Sequence, residues 1–298
     1  MKIKPNTFMM GAQKAATTSL YNWLSQHPEV CGPNSIKDYP LFLDKWNIFD
    51  EESKMFDNEY LDAGYDNEKI VLHGCVQYMF EEIAIERIAE FSPQAKLICI
   101  LRNPVDRALS AYKYFKKLNI ETRPLKVALE TDEKFLKGTT QQRNDFTYIS
   151  HGLYYQQLLN IYKRFPEQQV KIVLYDDLIN DSRKIIGNIF EFLEIDKSFM
   201  PDFKEFNVTG EVKFKILQKL VFNDSKVKRF IVENFVDFFI PIHKRSKMRW
   251  AFNDWNTRKK QKTNKEGDIK ERQQLKSYFI EDIYKLEKLM HRNLDCWK

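Results

Sequence analysis

Short apolar runs alternate with amphipathic stretches along the chain, which predicts strands separated by helices. Strand-like runs occupy 8–10, 30–31, 69–74, 95–101 and 170–174. The run 95–101 is almost continuously apolar, as expected for the central strand of a parallel sheet covered on both faces. No tight hairpin signal separates these runs. The pattern therefore predicts an α/β fold, with a doubly wound, mostly parallel sheet and helices on both faces.

The amphipathic stretches between these runs predict the helices. After a first helix that presents Leu20, Trp23 and Leu24 on one face, they cover 81–91, 104–118, 124–137, 150–165, 181–193, 211–246 and 268–290. Segment 45–66 has no clean period, and we interpret it as a surface excursion. We expect one domain over 1–298, with 211–262 forming part of the acceptor side or a lid. A helical cap on one sheet edge and a peripheral membrane contact through 211–246 are the alternatives.

The stretch 7–20 carries the first candidate chemistry. A strand-like run ends at Gly11, a turn of small residues surrounds Lys14, and three hydroxyl residues precede the first helix. The turn's N–H groups and the positive end of the helix dipole converge there, which suits an anion. The stretch is not a Walker A loop, because Ala16 and Thr17 stand where that pattern needs glycine and lysine.

A second candidate site follows the run 95–101. The residues 102–110 read Arg-Asn-Pro-Val-Asp-Arg-Ala-Leu-Ser, and Pro104 suits the first position of a helix. Arg102 is thus predicted at the carboxyl end of the central strand, the edge at which open α/β sheets bind ligands. Its guanidinium and the Ser110 hydroxyl can bracket one phosphate, because arginine presents a bidentate fork.

Both stretches resemble motifs of one enzyme family. Residues 14–20 resemble the 5′-phosphosulfate loop of the sulfotransferases that use 3′-phosphoadenosine 5′-phosphosulfate (PAPS), and 102–110 match their 3′-phosphate motif, Arg-x-Pro-x-x-Arg-x-x-Ser. The nearest branch is the Golgi-type and bacterial one that modifies carbohydrates. The resemblance implies a P-loop-like phosphate-binding turn, PAPS as cosubstrate, adenosine 3′,5′-bisphosphate as product, and no metal.

The resemblance also assigns roles to residues. Lys14 stabilises the leaving phosphate oxygen, and Arg102 and Ser110 hold the 3′-phosphate. Gly152-x-Tyr154 and a basic loop resemble further cofactor segments. The implied cofactor-binding set is Gln13, Lys14, Ala15, Ala16, Thr17, Thr18, Ser19, Arg102, Ser110, Tyr154, Lys260 and Lys262. Core packing for Tyr154 and a solvated charge run for the two lysines are the alternatives.

The general base has two candidates. Residues 37–42 resemble the family's Lys-Glu-Pro-x-Phe-Phe segment, whose carboxylate is the base in the carbohydrate branch, with Asp38 in place of the glutamate. His73, at the end of a predicted strand, is the competitor, because the cytosolic branch uses a histidine. We prefer Asp38, since a lone histidine at a strand end is more often structural.

Composition narrows the partners further. A chain of 298 residues with 43% apolar residues can bury a substantial core, and a net charge of +6 suits an anionic cofactor without indicating a nucleic-acid binder. No metal-ligand spacing, signal peptide or membrane-spanning run is visible, so we expect a cytoplasmic enzyme or a chain whose anchor was removed. A small-molecule kinase and a catalytically silent nucleotide-binding module are the rival functions. A glycan is the preferred acceptor, ahead of a small molecule or a peptide tyrosine.

Overall fold

A computed structural model describes residues 2–43, 51–203, 210–212, 257–259 and 265–298. Within them, five strands form one fully parallel sheet in the order β2-β3-β1-β4-β5. The strands are β1 (Thr7–Gly11), β2 (Val30–Cys31), β3 (Ile70–Gly74), β4 (Lys96–Leu101) and β5 (Val170–Leu174). Nearly every residue of β1, β3 and β4 is buried, because helices cover both faces of the sheet. The predicted fold class is confirmed.

The helices follow the strands in alternation. They are α1 (Thr17–Leu24), α2 (Glu51–Asp62), α3 (Glu82–Phe91), α4 (Pro104–Lys117), α5 (Leu125–Glu130), α6 (Asp132–Leu136), α7 (Thr140–Phe146), α8 (Tyr154–Tyr162), α9 (Tyr175–Asn180), α10 (Ser182–Leu193) and α11 (Lys265–Met290). α11 packs on α4 and α8. The segment just after α1 contacts α10, where the rings of His27 and Phe190 lie 4.7 Å apart. The buried stripe predicted on α11 includes Leu275, Phe279, Ile283 and Leu286.

The strand order creates a switch point at the middle of the sheet. From β1 the chain moves toward β2 at one edge, whereas from β4 it moves toward β5 at the other. The turns after β1 and β4 therefore diverge and leave a crevice between them at the carboxyl ends of the strands. This is the position at which open α/β sheets bind ligands.

Two predicted segments differ from the structure. Segment 45–66 is not merely a surface excursion, because α2 buries Phe56 and Tyr60 completely and the Tyr60 hydroxyl donates to the Leu72 carbonyl oxygen at 2.9 Å. The helix predicted over 124–137 is interrupted at Thr131, whose hydroxyl donates to the Val127 carbonyl oxygen and competes with the helical ladder.

Other differences are smaller. The helix expected over 150–165 begins as a 3₁₀ turn (Ser150–Gly152) before α8, and α7 and α9 were not predicted. An antiparallel pair, β6 (Gly210–Val212) and β7 (Thr257–Lys259), adds a second small sheet. Residues 211–212, predicted as the start of a helix, belong to strand β6 instead. The rest of the stretch predicted as helices, 213–246, lies outside the described residues, as do Lys260 and Lys262.

Candidate active site

The turn after β1, residues 11–16, is called the phosphate turn here. Gly11 has φ +138°, and a Cβ atom there would lie 2.9 Å from the Val76 carbonyl oxygen, so only glycine fits. Lys14 and Ala16 adopt left-handed conformations, with φ 66° and 62°. Such conformations cost non-glycine residues about 1 kcal/mol or more and tend to cluster at functional sites.

The phosphate turn leads directly into the N-terminus of α1. Ala16 occupies the N-cap position and offers no side-chain acceptor to the first N–H groups of the helix. Thr17 and Ser19 are buried in the first turn, and Thr18 is half-buried. Amide groups and hydroxyls thus gather at the positive end of a helix, an arrangement that attracts anions.

Lys14 lies half-buried in this turn, close to an aromatic ring. Its Nζ sits 3.9 Å from the centroid of the Tyr114 ring on α4. Burial, followed by the nearby charges of Arg102 and Lys117, lowers the pKa of Lys14 to about 8. An anion placed beside this amine would favour its protonated form and reverse that effect.

The turn after β4, residues 102–104, is called the arginine turn here. Its backbone is fixed by Pro104 at the first position of α4 and by the Asn103 side chain, which accepts hydrogen bonds from Val105 N at 3.0 Å and Asp106 N at 3.4 Å. Arg102 lies half-buried just beyond the strand. Ser110 is half-buried two turns along α4.

The Arg102 guanidinium joins the two turns. Its Nη1 donates to the Lys14 carbonyl oxygen at 2.9 Å, and its Cζ lies 4.5 Å from the centroid of the Tyr175 ring. Arg102 Nε is buried and has no hydrogen-bond partner within the described part of the chain. A buried guanidinium N–H without an acceptor points to a ligand oxygen that satisfies it.

Arg107 supports this arrangement from inside the protein. It is fully buried, and its Nη2 donates to the Tyr148 carbonyl oxygen. Burial lowers the pKa of Arg107. Because its side chain fastens α4 to the segment before α8, Arg107 supports the fold rather than lining the open crevice.

Asp38 lies on the surface next to the carboxyl end of β3. Its backbone N–H donates to the Gly74 carbonyl oxygen at 2.7 Å, and its Oδ1 accepts from Val76 N at 3.1 Å. Its Oδ2 lies 2.6 Å from Lys37 Nζ, and its side chain remains 43% exposed. The charge of Asp38 acts on Lys14. A carboxylate is therefore held, accessible to solvent, near the phosphate turn.

His73 occupies a different environment within β3. It is fully buried among aromatic rings, and its Nε2 hydrogen-bonds the Tyr78 hydroxyl at 2.8 Å. Burial lowers the pKa of His73 to about 3, although the charge of Asp38 partly opposes this. A histidine that is neutral and shielded from solvent is poorly placed to accept a proton from an acceptor molecule.

The remaining candidates are placed as follows. Ala15 is fully buried, and Gln13 turns its side chain toward α7, where Nε2 donates to the Asn144 carbonyl and Oδ1 oxygens at 3.0 Å each. Tyr154 is also fully buried, and its hydroxyl donates to the Arg102 carbonyl oxygen at 2.9 Å. The Tyr154 side chain therefore contacts the main chain of the arginine turn.

Sequence reasoning missed several residues around the site. Tyr175 follows β5 as Arg102 follows β4, so its position directly after a strand was a usable signal. Tyr114 lies four residues after Ser110 on the same helix and hence on the same face. No local pattern announced Asn144, because it reaches the phosphate turn through a long-range contact.

The described residues lack two features, a membrane span and a metal cluster. They contain no helix with the length and apolar character needed to cross a bilayer. They also contain no group of three or more His, Cys, Asp or Glu side chains arranged to hold a metal ion.

The fold and the site define an α/β protein whose cationic and N–H groups gather at the switch point of a parallel sheet. Residues 4–261 match the sulfotransferase domain family. Because this match covers most of the chain, the chain belongs to the sulfotransferase family.

Individual relatives are distant. The chain is 26% identical over 208 residues to human heparan sulfate glucosamine 3-O-sulfotransferase 3B1, covering 69% of this chain and 50% of that protein. It is 24% identical over 200 residues to the bifunctional heparan sulfate N-deacetylase/N-sulfotransferase 1 of Caenorhabditis briggsae, covering 65% of this chain and 23% of that protein. The chain thus spans about a quarter to one half of the length of these curated relatives.

A solved structure agrees with the fold. The sulfotransferase from Alicyclobacillus acidocaldarius superimposes with a TM-score of 0.67 at 24% identity, covering 99% of both chains. At that identity the likeness concerns the arrangement of the strands and helices.

Proposed function

We propose that this chain transfers a sulfuryl group from PAPS to a hydroxyl or amine of a carbohydrate. The observation that carries the proposal is the hydrogen bond from Arg102 Nη1 to the Lys14 carbonyl oxygen at 2.9 Å. It joins the phosphate turn to the arginine turn at one edge of the sheet. A single nucleotide with phosphates at its 3′ and 5′ positions can therefore contact both turns.

The residues present suit such a nucleotide. Arg102 Nε is a buried donor in need of an acceptor, and the first N–H groups of α1 are not capped by the Ala16 side chain. Phosphate oxygens satisfy both kinds of donor. When bound, PAPS supplies an activated sulfuryl group and a phosphate leaving group.

The residues of the phosphate turn would act on the 5′ side. Lys14 places a positive charge where negative charge develops on the leaving oxygen, and the first turn of α1, with Thr17, Thr18 and Ser19, donates to the 5′-phosphate. Arg102 and Ser110 hold the 3′-phosphate. As in phosphoryl transfer, such a site works mainly by positioning the reactants and stabilising charge.

Asp38 is the proposed general base. Its side chain is exposed and carries an oxygen already oriented by Val76 N, whereas His73 is buried and hydrogen-bonded to Tyr78. The neighbouring Lys37 ammonium forms an ion pair with Asp38 Oδ2 at 2.6 Å. Proton removal by a positioned side chain typically contributes about 100- to 10,000-fold to the rate.

The preference for a carbohydrate rests on the relatives. The two curated relatives described above are named for sulfation of heparan sulfate, one at oxygen and one at nitrogen. The resemblance of residues 37–42 to the carbohydrate-modifying branch points the same way. The roles proposed for the site residues require only that the acceptor carries a hydroxyl or an amine.

The direct test is transfer of ³⁵S from labelled PAPS. The purified chain is incubated with desulfated heparan-type saccharides, a steroid alcohol and a tyrosine peptide in parallel. The expected result is label in the saccharide fraction. Label in another acceptor alone would contradict the carbohydrate assignment. Binding of adenosine 3′,5′-bisphosphate without transfer to any acceptor would instead indicate a silent nucleotide-binding module.

The base assignment has its own test. Asp38→Asn is expected to lower the transfer rate about 100-fold or more while leaving the affinity for adenosine 3′,5′-bisphosphate unchanged. Asp38→Glu, which retains a carboxylate, should recover a substantial part of the rate. An Asp38→Asn variant with native transfer would reopen the case for another base.

A further inference from the structure

The register of the sheet places an aromatic ring under the arginine turn. β4 and β5 are paired so that Leu101 lies opposite Leu174. The next residue of each strand, Arg102 and Tyr175, therefore emerges side by side, and the guanidinium rests 4.5 Å from the ring centroid. Such a cation–π contact restrains where a guanidinium points.

The segment 291–298, which follows α11, binds the side chains of Asp176 and Asp177, the two residues after Tyr175. Its Trp297 is only 1% exposed, and the indole Nε1 donates to Asp176 Oδ2 at 3.1 Å. Arg292 forms a two-pronged ion pair with Asp177, with Nη2–Oδ1 and Nη1–Oδ2 both at 2.7 Å. The start of α9, and with it Tyr175, is thereby fixed in place.

A second route leads from the same tryptophan to the arginine turn. The ring centroids of Trp297 and Tyr154 lie 6.3 Å apart. The Tyr154 hydroxyl donates to the Arg102 carbonyl oxygen, and the Tyr154 backbone N–H donates to Asp282 on α11 at 2.8 Å. Trp297 thus contacts Tyr154, whose hydroxyl binds the Arg102 main chain. Through Asp176 it also holds the neighbouring Tyr175, whose ring contacts the Arg102 guanidinium.

We propose that Trp297 is a positioning residue for the 3′-phosphate, acting through Asp176 and Tyr175 on the Arg102 guanidinium. The inference rests on the proposed function, because it takes Arg102 as the 3′-phosphate ligand. The family match ends at residue 261, so segment 291–298 lies outside it. A buried indole needs a hydrogen-bond acceptor, and the Asp176 carboxylate at the start of α9 supplies one.

The test compares two nucleotides that differ only in the 3′-phosphate. Calorimetric titration with adenosine 3′,5′-bisphosphate and with adenosine 5′-phosphate gives the affinity ratio for each protein. Trp297→Phe keeps an aromatic ring but removes the N–H donor, and Asp176→Ala removes its acceptor. Each is expected to lower affinity for the bisphosphate by about three- to tenfold and to leave the monophosphate unchanged. Tyr175→Leu should lower the ratio in the same direction.

A stability-matched variant separates positioning from general loosening. Phe165 is 1% exposed and lies beyond the far end of α8, so Phe165→Leu also removes buried volume. Its affinity ratio should equal the native one. Folded Trp297→Phe and Asp176→Ala proteins with the native ratio would overturn the inference. A native protein that shows no preference for the bisphosphate would instead overturn the proposed function.

Discussion

The phosphate turn and the arginine turn follow adjacent strands of one sheet, yet they are built in opposite ways. The phosphate turn has small side chains, two left-handed residues that are not glycine, and an ammonium whose pKa is lowered to about 8. The arginine turn has a proline, a capping asparagine and a guanidinium in contact with an aromatic ring. In the phosphate turn, the protonation of Lys14 depends on its surroundings. In the arginine turn, the Arg102 guanidinium is held in a fixed orientation.

This difference suggests a division of labour within the proposed reaction. The Lys14 ammonium suits the atom at which negative charge develops, because its interaction with that atom is stronger in the transition state than in the ground state. A fixed bidentate group suits a phosphate that takes no part in the chemistry. If the two turns were interchangeable, substitutions in them would have equal effects on rate and on binding.

The largest effect is expected at Lys14. Lys14→Ala should lower the transfer rate about 100- to 1000-fold, because removal of one charge-stabilising donor at a developing oxyanion has that magnitude. The circular dichroism spectrum should be unchanged. Lys163→Ala, at an exposed lysine just after α8, is the matched control and should transfer label at the native rate.

Substitution of Arg102 should affect nucleotide binding rather than the transfer rate. Arg102→Ala is expected to weaken adenosine 3′,5′-bisphosphate by about 10- to 100-fold, since hydrogen bonds to charged groups contribute about 1.5–3 kcal/mol. Adenosine 5′-phosphate should bind with nearly native affinity. Calorimetry measures both. Equal losses for the two nucleotides would show that Arg102 only supports the phosphate turn.

Above neutral pH, the pH dependence of binding should report Lys14. An anionic ligand stabilises the protonated amine, so the pKa of Lys14 in the complex lies above the value of about 8 in the free protein. Affinity for adenosine 3′,5′-bisphosphate should be level between about pH 7 and 8, where the phosphates are already doubly charged. Above pH 8, affinity should fall by up to about tenfold per pH unit until the pKa of the complex is reached.

Lys14→Arg provides the control for this pH effect, because arginine stays protonated throughout that range. Its binding should be independent of pH between 7 and 9. A native protein whose affinity rises above pH 8 would contradict the assignment of Lys14 to the phosphate.

The smallest effects concern stability, and they should have opposite signs in the two turns. Ala16→Gly relieves a left-handed alanine and should stabilise the free protein by about 0.5 kcal/mol after the entropy cost of glycine. Pro104→Ala should destabilise it by about 0.5–1 kcal/mol, because the unfolded chain gains freedom. Denaturant unfolding of both variants measures the two changes, and shifts of the same sign would remove the contrast.

The sequence predicted the elements that carry strong local signals. The apolar runs of β1, β3, β4 and β5 and the long stripe of α11 were found because burial on one or both faces dictates their pattern. α7 was missed although its capping box, Thr139 with Gln142, is visible in the sequence. Its short helical face carries too few apolar residues to give a period.

The site was only partly accessible from the sequence. Arg102 and Lys14 were predicted because each follows a strand in a recognisable motif. Asp38 was preferred over His73 from the sequence, but the complete burial of His73 was not visible there, because it depends on distant rings such as Phe56. The contact of Trp297 with Asp176 joins residues 121 positions apart, and no local pattern announces it.

The pairing of Leu101 with Leu174 has a consequence for tolerance to insertions and deletions. Removing one residue from β4 would turn each side chain beyond the gap to the opposite face of the sheet. Arg102 would then lose both its contact with the Tyr175 ring and its hydrogen bond to the Lys14 carbonyl oxygen. We therefore expect length changes in this chain to be accepted in surface connections and rejected within β4 and β5.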